Sequence, residues 1–150
     1  MSGLFSHIME RTITVEATPW TLWKVLTEFS GYGSWNALYP EAEGAARVGA
    51  DIDAFVRLVS DKPMRTTLRV LAAEHSKELV WMARYALPGF LDMTHCFIIA
   101  PVDRYGSRFT HGIRVSGILT PLYAKALRNV AEPNLERMTQ SLKARAEARR

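Results

Sequence analysis

Two histidines, His95 and His111, are the residues whose type and spacing are best suited to chemistry. His95 alternates with Phe97, which predicts that the two side chains point to the same apolar side of a strand. His111 alternates in the same way with Phe109 and Ile113 and is also predicted to face inward. If Phe97 lies opposite His111 in a hairpin, the two histidines are diagonal neighbours, about 7–8 Å apart. They could bind a ligand carbonyl or transfer protons, or they could be hydrogen-bonded core residues without a catalytic role.

A metal or nucleophilic site is not predicted around these histidines. Zinc needs three or four converging ligands, but Cys96 and Asp92 have the opposite parity to His95 and should point away from it. A strand cysteine between His95 and Phe97 is typical of a small buried residue rather than of a nucleophile, which needs a base and electropositive surroundings. The sequence has no glycine-rich phosphate loop, GxSxG or HExxH motif, so no cofactor is expected.

Aromatic residues at two places could line a pocket or fill a core. Trp81 and Tyr85 share one face of a predicted strand, where the indole could form a wall and the phenol a polar contact. The segment FSGYGSWNALYP (29–40) carries further aromatics between glycines. We expect Tyr32 and Tyr39 to lie at the entrance of a pocket, where glycines allow movement, and Trp35 to close the end of the core.

The elements that must position these residues begin with an alternating strand at 7–17. Thr18 and Pro19 then suit an N-cap and a first helical residue. The apolar face predicted for this helix consists of Trp20, Trp23, Leu26 and Phe29, widened by Leu22 and Val25.

The remaining chain predicts a series of strands followed by one long helix. The strands are expected at 51–59, 64–73, 77–86, 92–102 and 107–119, after a polar connection at 41–49. The helix starts at Thr120, carries Met138 on its apolar face, and should be kinked by Pro133. Strands that follow one another without crossovers form an antiparallel meander, and the long helix must cover one of its faces. The predicted fold class is therefore α+β, with about six strands.

Composition limits the possible classes of protein. A chain of 150 residues, 48% hydrophobic and 23% charged, is typical of one globular domain, here residues 1–150, rather than of a disordered or membrane-spanning chain. The net charge of +4 is not gathered into a basic stripe, so nucleic-acid binding is not expected, and no stable membrane insertion is expected either. One cysteine and the absence of a signal-peptide pattern favour a cytoplasmic location.

The order of elements and several short segments resemble the START-like superfamily, also called SRPBCC, and especially its polyketide cyclase/dehydrase-like branch. The segments that carry the resemblance follow the opening strand and read TPWTLWKVLTEFSGYGSWN, VGADIDAFV, ALPGFLDMTHCF, SRFTHGIRVSGIL and ERMTQSLKARAE. Two positions depart from the family pattern. Ala37 stands where a proline commonly follows the Trp-Asn pair, and Ile113 stands where many relatives carry a glutamate. The loss of that carboxylate favours either binding over acid–base catalysis or a more apolar ligand.

The resemblance implies a helix-grip fold, in which a curved antiparallel sheet surrounds a long C-terminal helix and a pocket for lipophilic molecules. The residues expected to line this pocket are Trp23, Tyr32, Trp35, Tyr39, Trp81, Tyr85, His95, Phe97, His111, Ile113 and Met138. The first hypothesis is a protein that binds a small hydrophobic molecule, such as a lipid, a polyketide or an aromatic compound. A cofactor-free cyclase, aromatase or dehydratase is the alternative, with His95 or His111 moving protons. A protein-interaction module is the third possibility, favoured if side chains fill the cavity. The oligomeric state is not predicted.

Overall fold

A seven-stranded antiparallel sheet packed against helices forms the structure, and the computed structural model describes residues 3–149. The strands are β1 (Ser6–Val15), β2 (Glu41–Glu43), β3 (Asp51–Val56), β4 (Met64–Glu74), β5 (Glu78–Tyr85), β6 (Leu91–Pro101) and β7 (Ser107–Ser116). Their order across the sheet is β1-β7-β6-β5-β4-β3-β2. The predicted α+β class and meander are confirmed, and the additional strand is β2, which lies in the predicted polar connection.

Helix α1 (Pro19–Thr27) follows β1, and a 3-10 helix (Phe29–Ser34) follows α1. As predicted, the Thr18 side chain caps α1 by accepting a hydrogen bond from the Thr21 amide, and a proline stands in its first turn. The predicted apolar face is wrong at one position: Trp20 is 57% exposed. The buried residues of α1 are Leu22, Trp23, Val25 and Leu26, so Trp20 lies outside the face that contacts the core, and Lys24 packs over its ring.

The C-terminal helix is interrupted rather than simply kinked. It consists of α2 (Thr120–Ala126), a π turn (Leu127–Ala131) and α3 (Glu132–Ala148). Pro133 lies in the first turn of α3, so the break precedes it, with the Glu132 amide bonded to the Leu127 carbonyl five residues earlier. A proline ring clashes with the carbonyl four residues before it in a regular α-helix, and a wider turn relieves that clash.

The core lies between the inner face of the sheet and these helices. Helix α3 packs against α1 and β1, and it buries Leu135, Met138 and Leu142 together with Ala146. On the other side of the core, alternate residues of β5, β6 and β7 are buried, as the two-residue period of a strand requires. None of the helices formed by residues 3–149 is both long and apolar enough to cross a membrane.

Candidate functional site: a buried row of hydrogen bonds

The pairing of β6 with β7 brings the two candidate histidines together. Phe97 lies opposite His111, as predicted, and His95 lies opposite Ile113. Both histidines face inward and expose 1% of their surface or less. Nε2 of His95 lies 3.0 Å from Nδ1 of His111, and the ring centroids are 5.3 Å apart. The diagonal relationship predicted from the sequence is therefore confirmed, and the two rings are hydrogen-bonded to each other.

Hydrogen bonds extend from this pair in both directions. On one side, the Tyr39 hydroxyl lies 2.8 Å from Nδ1 of His95 and accepts a hydrogen bond of 3.0 Å from the indole of Trp81. On the other side, Nε2 of His111 lies 2.6 Å from the Thr139 hydroxyl, which donates to a helix carbonyl one turn earlier, 2.8 Å away. We call these five side chains, Trp81, Tyr39, His95, His111 and Thr139, the inner polar row.

The two ends of the inner polar row set the direction of its protons. The indole of Trp81 can only donate, and the Thr139 hydroxyl gives its proton to the Leu135 carbonyl. Thr139 must therefore accept from Nε2–H of His111, whose Nδ1 then accepts from Nε2–H of His95. Nδ1 of His95 in turn accepts from Tyr39, whose alternative acceptor, the Met93 sulfur, is 4.0 Å away. Both imidazoles are thus neutral Nε2–H tautomers.

Burial keeps the inner polar row uncharged. Loss of hydration lowers the pKa of His95 well below its usual range, and the neighbouring His111 lowers it further. Loss of hydration also lowers the pKa of His111, to about 3, with a smaller contribution from the positive charge of Arg11. The pKa of Tyr39 is raised well above its usual range by burial. Each ring nitrogen of the two histidines is hydrogen-bonded, so neither histidine offers a free lone pair in this arrangement.

Aromatic rings surround the inner polar row and fill the interior. Phe97 stacks on His95 with ring centroids 4.0 Å apart, and Trp81 meets the edge of Phe97 at 4.9 Å. The predicted lining residues that expose 1% of their surface or less are Tyr32, Tyr39, Trp81, His95, Phe97, His111, Ile113 and Met138. A cavity that admitted water would leave accessible surface on its walls, so no such cavity borders these eight side chains in the interior. A pocket of about 310 Å³ that residues 111–113 also line lies on the outer face of the sheet, beside Thr94 and Cys96.

The other three predicted lining residues lie at the edge of the core. The Trp23 ring packs against His75, on the α1 side of the molecule. The half-buried Tyr85 accepts a hydrogen bond of 3.0 Å from Thr66, and Trp35 is half-buried against Tyr32.

The expected arrangement of the 29–40 segment is wrong in one respect. Tyr32 and Tyr39, expected at an entrance, are fully buried, whereas Trp35 is partly exposed. The Tyr32 hydroxyl donates to the Leu26 carbonyl, which holds that ring against the last turn of α1. The Asn36 side-chain oxygen accepts from the amides of residues 38 and 39, and this turn directs Tyr39 toward the sheet.

A groove of about 820 Å³ lies elsewhere, between the end of β1, the start of α1 and the β6–β7 turn. Its walls include Thr14, Glu16, Thr21, Asp103 and Tyr105, and none of the eleven residues predicted to line the ligand pocket. Across residues 3–149, no three histidine, cysteine or acidic side chains are placed to hold a metal ion together. Cys96 lies on the outer face of β6, as its parity predicts, but it is half-exposed, so the expectation of a buried cysteine is wrong. Partial burial is the main cause that raises the pKa of its thiol.

Comparison with known proteins identifies the family. Residues 6–147 match the family model described as polyketide cyclase / dehydrase and lipid transport. The chain belongs to this family. Its resemblance to the START-like superfamily is thereby confirmed over most of its length. No match was found among curated protein sequences.

Solved structures share the START-like fold at low sequence identity. A START superfamily protein from Mycobacterium smegmatis is 18% identical, with a TM-score of 0.75, over 96% of this chain and 99% of the other. The Zhui aromatase/cyclase from Streptomyces sp. R1128 is 18% identical, with a TM-score of 0.77, over 96% and 95% of the two chains. Norcoclaurine synthase from Thalictrum flavum is 10% identical, with a TM-score of 0.69, over 97% of each chain. At these identities the similarity establishes the fold alone.

Two residues of the site in this START-like protein were not predicted from its sequence. Thr139 ends the inner polar row, and Asn36 turns the chain that carries Tyr39. The sequence did contain a signal for Thr139. It lies next to Met138 and three residues before Leu142, on the apolar face of α3, and a buried hydroxyl needs a hydrogen-bond partner. Asn36 lies in an irregular segment, where no periodicity indicates its role.

Proposed function

We propose that this START-like protein binds a small hydrophobic molecule carrying a hydroxyl group, in the interior between the sheet and α3. The observation that carries the proposal is the inner polar row, a line of hydrogen-bonding groups enclosed by aromatic rings. The family description, which names polyketide cyclases and lipid transport, supports it.

The inner polar row contains more buried polar groups than a stable core requires. Burying polar groups costs free energy that their hydrogen bonds only offset, and an apolar core of the same shape is often as stable. A row of this kind does provide specificity, because every group in it needs a partner of the right type. In a ligand-binding interior, the same requirement selects the polar group of the ligand.

Tyr39 indicates which polar group that would be. It is carried on the irregular 29–40 segment, whose turn at Asn36 leaves the buried Nδ2 of that residue without a partner among the described residues. If this segment opens, the indole N–H of Trp81 and Nδ1 of His95 both lose the Tyr39 hydroxyl. The vacated position then presents one donor and one acceptor, which a ligand hydroxyl satisfies and a hydrocarbon does not.

Native mass spectrometry of the purified protein, followed by denaturing extraction, is the first test. We expect a copurified hydrophobic molecule with at least one hydroxyl group. A matched pair of variants locates it: Met138→Ala enlarges the interior and should change the affinity for a fluorescent hydrophobic probe, whereas Met64→Ala removes an exposed side chain of the same type and should not. Equal probe affinities in both variants would place binding outside the interior.

The hydroxyl preference has its own test. Tyr39→Ala leaves a cavity shaped like the missing phenol, so p-cresol should stabilise this variant against heat more than toluene does. Leu142→Ala, a buried position on α3 without a facing donor and acceptor, serves as the control and should not prefer p-cresol. An equal response of Tyr39→Ala to both compounds would contradict the role assigned to Trp81 and His95.

A second candidate is a protein-interaction module, favoured by the filled interior described above. This candidate expects no copurified small molecule and no binding of hydrophobic probes to the wild-type protein. The mass-spectrometric experiment therefore separates the two functions directly.

A further inference from the structure

Five large apolar side chains are exposed at one end of the sheet. They lie before β1, in the β5–β6 turn, and at the junction of β7 with α2, and each exposes between 53% and 77% of its surface. We call this surface the apolar end; its residues are Leu4, Phe5, Leu87, Ile118 and Leu122.

Backbone hydrogen bonds join the three chain segments of the apolar end into one surface. The Gly117 amide donates to the Phe5 carbonyl over 3.0 Å, and the Ile118 amide donates to the Gly89 carbonyl over the same distance. Gly117 permits this approach, because its φ is +123° and a Cβ there would lie 2.4 Å from the Phe90 carbonyl oxygen. The apolar side chains are therefore carried by three backbone segments that hydrogen bonds hold together.

The charges beside the apolar end are mainly positive. Lys125 follows Leu122 by one helical turn, Arg128 follows in the π turn, and both are exposed with no ion pair among residues 3–149. Two neighbouring carboxylates have partners of their own: Oδ2 of Asp92 accepts from the Gly89 amide, Oδ1 of Asp92 lies 4.0 Å from Arg84, and Glu132 is hydrogen-bonded to His7. The stretch 117–131 contains two cations and no acid.

We propose that the apolar end, with Lys125 and Arg128 at its rim, docks the protein onto the surface of an anionic lipid bilayer. Exposed leucine, isoleucine and phenylalanine side chains beside lysine and arginine are what an interfacial site requires, since the apolar groups enter the acyl boundary while the cations stay among the headgroups. This inference stands independently of the interior ligand.

A second copy of the chain is a poorer occupant of this surface. A two-fold interface places the same patch on both subunits. Lys125 and Arg128 of one subunit would then lie close to those of the other, and like charges repel as they lose water. An anionic bilayer has the complementary charge and needs no matching shape.

Vesicle cosedimentation of the wild-type protein tests the proposal. We expect binding to phosphatidylcholine vesicles that contain phosphatidylglycerol, weakened by salt, and little binding to phosphatidylcholine alone. The double variant Ile118→Ser/Leu122→Ser should lose about tenfold or more in partition. Lys125→Gln/Arg128→Gln should lose about 25-fold in partition, at about fivefold for each cation.

The matched control is Val48→Ser/Leu71→Ser, which removes two exposed apolar side chains at the opposite end of the sheet and should bind as the wild type does. All substituted residues are exposed, so unchanged melting temperatures will confirm that each variant is folded. Equal binding to neutral and anionic vesicles, or an equal loss in the control, would overturn the proposal. Absence of vesicle binding would also overturn it, and a dimer dispersed by Ile118→Ser/Leu122→Ser would then identify a second copy as the occupant.

Discussion

His95 donates the proton on its Nε2 to Nδ1 of His111 across 3.0 Å, and each histidine uses its other ring nitrogen for a further hydrogen bond. A proton added to Nδ1 of either ring would therefore remove an acceptor that a neighbour needs. The pair is stable only when both rings are neutral, and this property makes the core sensitive to acid.

Acid should destabilise the protein well above the pH at which carboxylates titrate. The pKa of His95 and that of His111 are lowered in the folded state, to about 3 for His111, while an unfolded histidine titrates near its ordinary pKa of about 6.5. Below that pH the unfolded state binds more protons, so stability falls by up to about 1.4 kcal/mol per pH unit for each histidine. Urea unfolding between pH 7.5 and 5 measures this slope.

The double variant His95→Gln/His111→Gln supplies the comparison. It should be less stable at pH 7.5, yet its stability should vary much less between pH 7.5 and 5. A wild-type protein with constant stability over this range would show that the histidines are not neutral in the fold.

Removal of the hydroxyl of Thr139 should cost stability although the side chain keeps its shape. Thr139→Val leaves the buried Nε2–H of His111 without an acceptor, which costs about 1–3 kcal/mol. Thr139→Ser keeps the hydroxyl and loses only a methyl group, so we expect a smaller loss, about 1 kcal/mol. Chemical denaturation ranks the two, and a valine variant as stable as the serine variant would contradict the hydrogen bond.

Tyr39→Phe should affect two buried groups together, the Trp81 indole and Nδ1 of His95. We expect a loss of about 1–3 kcal/mol and faster hydrogen exchange of the Trp81 indole proton. Tyr32→Phe is the matched control, because its hydroxyl serves a single backbone carbonyl. Nitrogen chemical shifts of the wild-type histidines should report Nε2–H tautomers at both His95 and His111. An Nδ1–H tautomer at either position would contradict the direction assigned to the hydrogen bonds of the inner polar row.

Gly117→Ala should destabilise the protein much more than Gly89→Ala. Both residues have positive φ, but a Cβ at Gly117 would strike the Phe90 backbone, whereas a Cβ at Gly89 meets nothing within 4 Å. Backbone strain at a positive φ costs about 1 kcal/mol, and the clash at Gly117 adds about 2 kcal/mol or more. Thermal unfolding of the two variants measures the difference, and equal losses would mean that the three segments of the apolar end are not held together there.

Strand periodicity explains why much of the site could be predicted. Successive side chains of a strand alternate between faces, so the inward direction of His95, His111 and Trp81 and the outward direction of Cys96 followed from their parity. The pairing of Phe97 with His111 followed from the length of the turn between β6 and β7.

Most of the wrong predictions concern residues to which no period applies, and Trp20 is the exception. The direction of Tyr39 depends on a turn made by the Asn36 side chain, and Trp20 has helical spacing but lies beyond the part of α1 that the core covers. Strand β2 has three residues, too few to show alternation. The membership of Thr139 in the inner polar row depends on the height of α3 above β7, which is a tertiary relationship.

The π turn before Pro133 has a consequence for the outside of the molecule. A π turn holds one residue more than an α turn, so it rotates α2 about its axis by about 100° relative to a continuous helix. Deletion of a single residue within 127–131 would remove this rotation, so Leu122 and Lys125 would point in a different direction relative to α3. Pro133 disfavours a regular α turn before it. This one proline therefore helps to set the orientation of the exposed side chains of α2 relative to α3.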